Sequence, residues 1–415
     1  MDRLTRLFII SFSLFSFTAM ASPATDTRQW VKLKASTPQE RSVVANGGVA
    51  IESVASDYVI GVATSAEADA LASKGLVLER RDLLDVVAKD FPREDAAFHS
   101  YAEFSASLKT LAAANADIMK LDSLGRTVEN REIWHVTLST DLENSKSKPG
   151  IAFLGGHHSR EHLSVEVPLL LIEKLVTAFR GGDAEVVRLL NGREIHVVPS
   201  VNPDGKEYDV ATGDYRYWRK NRGKVNGTAY GIDLNRNYGY GWGGGGASSN
   251  PGSDVYRGPS AFSEPETQAV KKFVEAQSNL TTLLSFHTFS ELILYPWGHQ
   301  NSPIPNERDH AVHKTMAETM AKWNGYEPIQ SSELYIASGD TTDWSYGELG
   351  IISFTFELDP KDMFSGGFYP GAGAIEAVSA KNWRPCLYLI EYADNPYRVL
   401  EPAHIKYGLN TPLVE

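Results

Sequence analysis

The chain has 415 residues, 42% of them hydrophobic and 22% charged, the balance of a soluble globular protein able to bury a large core. Its formal charge of −12, with no basic stripe anywhere, argues against a nucleic-acid partner. A single cysteine, Cys386, excludes an internal disulfide, and its place in the apolar run Cys386-Leu-Tyr-Leu-Ile390 marks it as a buried core residue rather than a nucleophile.

Residues 1–21 read as a secretory signal. Arg3 and Arg6 precede an apolar segment from Leu7 to Phe17, and Ala19-Met20-Ala21 offers a cleavage site after Ala21. No later segment reaches the roughly 18 apolar residues of a membrane span, so the mature chain is expected to be exported, periplasmic or secreted, without a membrane anchor. Residues 22–80 form a small α+β unit: a strand at Trp30–Lys34, a helix at Pro38–Ala45, one or two strands between Ala50 and Thr64, a helix at Ala66–Lys74 and a strand at Leu76–Glu79. That order suits a ferredoxin-like sandwich. Residues 81–97 are charged and read as a linker open to proteases.

From 98 to 394 the elements are longer. The pattern predicts helices at Tyr101–Ala114, Val165–Phe179, Asp309–Trp323 and Ala374–Tyr392, the last kinked or interrupted by Pro385. Strands are predicted at Glu132–Ser139, Ile151–Leu154, Ile195–Val201, Leu280–Phe286 and Ile351–Phe356, and Asn202-Pro-Asp-Gly205 reads as a turn. Strands alternating with helices imply an α/β domain with a mixed, mostly buried sheet flanked by helices on both faces. The glycine-rich stretch Gly239–Gly246 satisfies G-x-G-x-x-G, but no strand leads into it and no helix follows, so it reads as a mobile or close-packed loop. Residues 395–415 form a tail with no assigned role.

Chemistry concentrates at strand ends. In Phe153-Leu-Gly-Gly-His-His-Ser-Arg-Glu-His162 an apolar strand gives way to a helix, and His158 and Glu161, three apart, can reach one ion. Open α/β sheets collect their active sites at such carboxyl ends. A third ligand is needed, and His287 emerges in the same way from Leu283-Leu-Ser-Phe-His287. Glu357 closes Ile351-Ile-Ser-Phe-Thr-Phe-Glu357, where desolvation would raise its pKa and suit it to proton transfer. Arg160, Arg219, Arg222 and Arg236 lie beside these elements and match carboxylates or oxyanions. Zinc, a carboxylate and several arginines point to hydrolysis of an anionic substrate.

The series His158-Ser-Arg-Glu161, Asn202-Pro-Asp-Gly205, Trp218-Arg-Lys-Asn-Arg222, Asp233-Leu-Asn-Arg-Asn237, His287, Leu294-Tyr-Pro-Trp-Gly298, Tyr335-Ile-Ala-Ser-Gly339, Asp343-Trp-Ser-Tyr346 and Phe354-Thr-Phe-Glu357 resembles the zinc carboxypeptidases of the A, B and T type. The resemblance spans roughly residues 98 to 394. It implies one Zn²⁺ held by His158, Glu161 and His287, and a substrate that is the carboxyl terminus of a peptide or protein. It further implies Arg222 on the carbonyl oxygen, Arg160 assisting in substrate binding, and Asn235 and Arg236 on the terminal carboxylate. Tyr335 would close over that carboxylate, with Glu357 as general base and later acid. Uncharged Thr342 implies release of apolar or aromatic residues, while Asp340 resembles the carboxypeptidase T branch and would admit basic ones. A cis bond at Asp359-Pro360, a monomeric state and a shielding propeptide, cleaved between Arg80 and Arg93, are also implied; a permanently attached accessory domain is the alternative.

Two other readings stay open on sequence. His158-Ser-Arg-Glu161-His162 also satisfies H-x-x-E-H, the inverzincin signature, in which His162 rather than His287 would bind zinc. A secreted binding domain that lost activity is the other, although none of the residues named for catalysis is missing.

Overall fold

The structure, a computed structural model, describes residues 28–83, 95–210, 215–227 and 229–401. Residues 1–21, expected to be a secretory signal, most of the expected linker and residues 402–415 lie outside them. No helix among the described residues is long and apolar enough to cross a membrane.

The N-terminal unit runs β1 (Arg28–Lys34), α1 (Pro38–Asn46), β2 (Ala50–Val54), β3 (Tyr58–Thr64), α2 (Ser65–Ala72) and β4 (Val77–Asp82). Its strands form an antiparallel sheet in the order β2-β3-β1-β4, the ferredoxin-like arrangement expected. Both helices begin at capping boxes, Thr37 with Glu40 and Thr64 with Glu67, which satisfy otherwise orphaned amides. Val31, Leu33, Val44, Val59 and Leu71 fill the space between sheet and helices.

The larger unit is built on an eight-stranded sheet. Its strands are β5 (Met119–Arg126), β6 (Glu132–Leu138), β7 (Gly150–Leu154), β8 (Glu194–Val198), β11 (Leu280–Thr288), β12 (Leu292–Tyr295), β13 (Glu327–Gln330) and β14 (Ile352–Leu358). A short hairpin of β9 (Lys224–Asn226) and β10 (Ala229–Tyr230) stands apart. The order is β13-β12-β14-β11-β7-β8-β6-β5, with β14, β11, β7 and β8 mutually parallel at the centre, β12 antiparallel to β14 and parallel to β13 on one side, and β6 antiparallel to both β8 and β5 on the other. Helices cover both faces. Ile151 and Phe153 join the core beneath helices Leu163–Arg180, Glu307–Asn324 and Ala374–Tyr392, whereas the alternate residues Ala152 and Leu154 join the core under helix Pro265–Glu275. Alternation on a strand buried from both sides explains why β7 is uniformly apolar.

Several local expectations change. Asn202-Pro-Asp-Gly205 opens helix Pro203–Val210 instead of forming a free turn: Asn202 Oδ1 accepts from the Gly205 amide (3.0 Å) and Pro203 supplies a preset first helical residue. Helix Ala374–Tyr392 continues through Pro385 without interruption. Strand β5, polar and at the sheet edge, carries too weak an alternation to be foreseen. Cys386 is buried, and the Asp359–Pro360 bond is cis. Gly239–Gly246 is close-packed: a Cβ on Gly246 would stand 1.8 Å from the Ile336 carbonyl oxygen. Past residue 394, Pro396–Leu400 forms a turn whose Tyr397 hydroxyl donates to Asp309 (2.7 Å).

Candidate active site

Three carboxyl ends of the parallel strands converge. Beyond β7 the chain turns at Gly155-Gly156, and Gly155 allows no side chain, since a Cβ there would meet the Ser164 carbonyl oxygen at 2.1 Å. This close approach delivers His158 and Glu161 to the rim. His287 is the penultimate residue of β11, and Glu357 sits beside it in register on β14.

His158, Glu161 and His287 each offer a ligand atom, all within 4.8 Å of one another and all buried. His158 Nδ1 lies 2.7 Å from Glu161 Oε1, and His287 Nδ1 lies 3.0 Å from Glu161 Oε2 and 3.1 Å from His158 Nδ1. The outer nitrogens are occupied: His158 Nε2 faces Asp233 Oδ1 at 3.1 Å, and His287 Nε2 faces Ser285 Oγ at 3.1 Å. With those partners assigning the ring protons to Nε2, two Nδ1 lone pairs and a carboxylate point at one spot. Such a set repels itself unless a cation lies between, so the donors fit a divalent ion with nitrogen and oxygen preference, zinc above others. It is the one group of three such donors found among the described residues. His162 is elsewhere, bonded through Nε2 to Asp209 (3.0 Å), so the H-x-x-E-H arrangement is not realised. His157 likewise supports, pairing Nε2 with the Tyr238 hydroxyl at 2.8 Å.

A cleft opens around these donors, and Arg219, Asn235, Arg236, Tyr335, Asp340, Thr342 and Glu357 line it. Burial pushes the Glu357 carboxyl up to about 7, reinforced by Glu161 and opposed by His287, Arg219 and Arg236. Arg236 gives Nε to the Gly246 carbonyl (2.9 Å) and Nη1 to that of Asn235 (2.7 Å), leaving Nη2 for an anion. Asn235 is oriented by Thr341, whose amide and hydroxyl both donate to its Oδ1 (3.0 and 2.9 Å). Asp340 caps helix Thr341–Leu349 and accepts from the Thr342 hydroxyl (2.7 Å); burial, then Asp343, pushes its carboxyl up to about 6.

Two arginines stand differently from expectation. Arg222 does not line the cleft: its guanidinium stacks 3.5 Å over the Tyr208 ring, with Trp218 and Tyr230 alongside and Glu129 3.6 Å away. Arg219, three residues earlier, does line it, clamped to Asp233 Oδ2 by Nε (3.0 Å) and Nη2 (2.9 Å), with Nη1 3.8 Å from Glu161. Arg160 is fully buried and committed to ion pairs, with Glu52 at 2.8 Å and Asp254 at 3.3 Å, so it does not face the cleft as a free substrate-binding group. Asp233 went unassigned on sequence although it orients a ligand histidine and Arg219 together; its place in Asp233-Leu-Asn-Arg-Asn237, beside two cleft residues, was the available signal.

Residues 104–385 match the family model described as zinc carboxypeptidase, peptidase M14. The chain belongs to the zinc carboxypeptidase family. A zinc carboxypeptidase of Saccharothrix mutabilis subsp. capreolus is 33% identical over 91% of both chains, and human carboxypeptidase A1 is 32% identical over 73% of this chain and 72% of its own. Among solved structures, the carboxypeptidase A of Helicoverpa armigera shares the fold with a TM-score of 0.73, covering 90% of this chain and 98% of that one at 24% identity. Bovine thrombin-activatable fibrinolysis inhibitor gives 0.64 at 27% identity over 71% and 97%. As a zinc carboxypeptidase, the protein is a metal-dependent hydrolase acting on the carboxyl termini of peptides or proteins.

Proposed function

We propose that this carboxypeptidase releases apolar or aromatic residues, and basic ones as well, from peptide carboxyl termini, with Glu357 as general base and acid. The observation that carries the reading is the cleft itself: a desolvated carboxylate and a clamped guanidinium flank three buried metal donors. His158, Glu161 and His287 would hold the zinc, which when bound polarises the scissile carbonyl and acidifies water. Glu357 takes the proton of the attacking water and later hands it to the departing amine, a task suited to a pKa near working pH. Arg219, rather than Arg222, meets the negative charge growing on the carbonyl oxygen, and its pairing with Asp233 holds it ready. Arg236 Nη2 and Asn235 Nδ2 grip the terminal carboxylate, and Tyr335 lies over it. Thr342 adds no charge to the side-chain pocket, which favours apolar residues, while Asp340 there supports the carboxypeptidase T-like acceptance of Lys and Arg.

The domains divide as 22–80 for the propeptide, 81–97 for the linker and 98–394 for the catalytic unit of a monomeric, exported zymogen. Support comes from β2, whose Ile51, Glu52 and Val54 line the same cleft as the catalytic groups. Release rates from peptides ending in Phe, Leu, Lys, Arg and Glu test the preference, which fails if Glu is fastest. Intact mass of the secreted protein tests the zymogen: a fully active enzyme retaining residues 22–80 would contradict it.

A further inference from the structure

The N-terminal unit touches the catalytic unit in a second way, away from β2. Helix α1 lies against the segment that carries Tyr335. Arg41 Nε donates to the Leu334 carbonyl (2.6 Å) and Nη2 to the Glu333 carbonyl (2.8 Å), immediately before Tyr335. The Ile336 amide, immediately after it, donates to Ser42 Oγ (3.2 Å), and that hydroxyl donates in turn to the Pro38 carbonyl (2.8 Å). Tyr335 itself packs against the apolar core of the N-terminal unit. One turn further along α1, Asn46 Oδ1 accepts from the Gly246 amide (2.8 Å), the residue whose carbonyl receives Arg236 Nε.

These contacts bracket one residue. Two carbonyls before Tyr335 and the amide after it are satisfied by the neighbouring residues Arg41 and Ser42. A backbone pinned on both sides of a side chain cannot swing that side chain without breaking charge-assisted bonds. Asn46, four residues after Ser42 and so on the same helical face, fastens the glycine loop that supports Arg236. The Gly246 approach to Ile336 joins the two segments directly.

We infer that Arg41 and Ser42 are positioning residues that lock the Tyr335 segment, so that the N-terminal unit governs the site by holding its lid as well as by covering its cleft. The inference rests on the reading of residues 22–80 as a unit seated on the enzyme until cleavage. While the unit is in place, Tyr335 is fixed over the cleft and cannot move aside for a substrate; once it departs, the 331–339 segment is freed.

The test uses the uncleaved chain carrying Arg41→Ala, Ser42→Ala or both, with Arg41→Lys as the conservative variant. Amide hydrogen exchange of 331–339 is followed by mass spectrometry, with β3 as the reference for an intact N-terminal fold. The double variant is expected to speed exchange in 331–339 at least about tenfold while β3 is unchanged, and Arg41→Lys to restore part of the protection. With a blocked dipeptide ending in Phe, KM should fall several-fold while kcat stays within about twofold. Unchanged exchange in 331–339, acceleration spread equally through β3, or an unchanged KM would overturn the inference. If the wild-type catalytic unit lacked peptidase activity after removal of residues 22–80, the functional reading would fail, and exchange alone would still decide whether α1 locks the segment.

Discussion

Replacing Arg219 and Arg222 separately asks which arginine serves the reaction. Arg219 lies in the cleft with two bonds to Asp233, whereas Arg222 is stacked on Tyr208 outside it. Loss of a preorganised donor facing a developing oxyanion costs about 10²–10³ in kcat, or ~2.7–4 kcal/mol. Arg219→Ala should therefore lower kcat by that factor for a peptide ending in Phe. Arg222→Ala removes a cation–π contact of about 0.5–1 kcal/mol and should leave kcat within about twofold. Removing Arg219 also strands the buried Asp233 carboxylate without its cation, so part of any loss could be structural. Steady-state kinetics are therefore paired with zinc content and thermal unfolding, and Arg219→Lys, which keeps the charge but not the fork, should recover stability more than kcat. Equal losses from the two alanine variants, or a zinc-replete Arg219→Ala enzyme with near-normal kcat, would refute the assignment.

Asp233→Asn should weaken zinc binding about 10- to 100-fold in a chelator competition, because the amide orients His158 without charging it; an unchanged affinity would mean that His158 is held by something else. Glu357→Gln should keep its zinc and lose about 10²–10⁴ in kcat, and retained turnover would remove Glu357 from proton transfer. Asp340, with its pKa pushed up to about 6, is neutral below that pH and charged above it. The ratio of kcat/KM for a Lys-ending over a Leu-ending peptide should thus climb between roughly pH 5 and pH 7, and Asp340→Asn should flatten it. A ratio independent of pH in the wild type would exclude Asp340 as the acceptor of basic side chains.

The parts of the site legible in the sequence were those where a polar residue interrupts an apolar strand. His287 and Glu357 both end such runs, and parallel pairing of β11 with β14 sets them side by side. His158 and Glu161 could be paired by spacing alone, though they lie far along the chain from His287. Choosing between Arg219 and Arg222 was beyond reach, because a motif with two arginines three apart does not say which faces inward. The tertiary contact that decides it is the Ser159 amide bonding to the Arg219 carbonyl (3.1 Å), which draws that residue to the metal-donor loop. The setting of Arg160 was out of reach for a related reason: its carboxylate partner Glu52 comes from the other unit, and no local pattern announces so distant a pairing. In the fold, strongly periodic helices such as Tyr101–Ala114 were readable to the residue, while β5 was hidden by its exposed, polar edge.

The central claim, a zinc carboxypeptidase centre closed by His287 and not by His162, is tested most directly by metal content and C-terminal release in two matched variants. One zinc per chain and chelator-sensitive release of the terminal residue are expected in the wild type and in His162→Gln, with both lost in His287→Gln. Zinc retained and activity intact in His287→Gln, with both lost in His162→Gln, would contradict it.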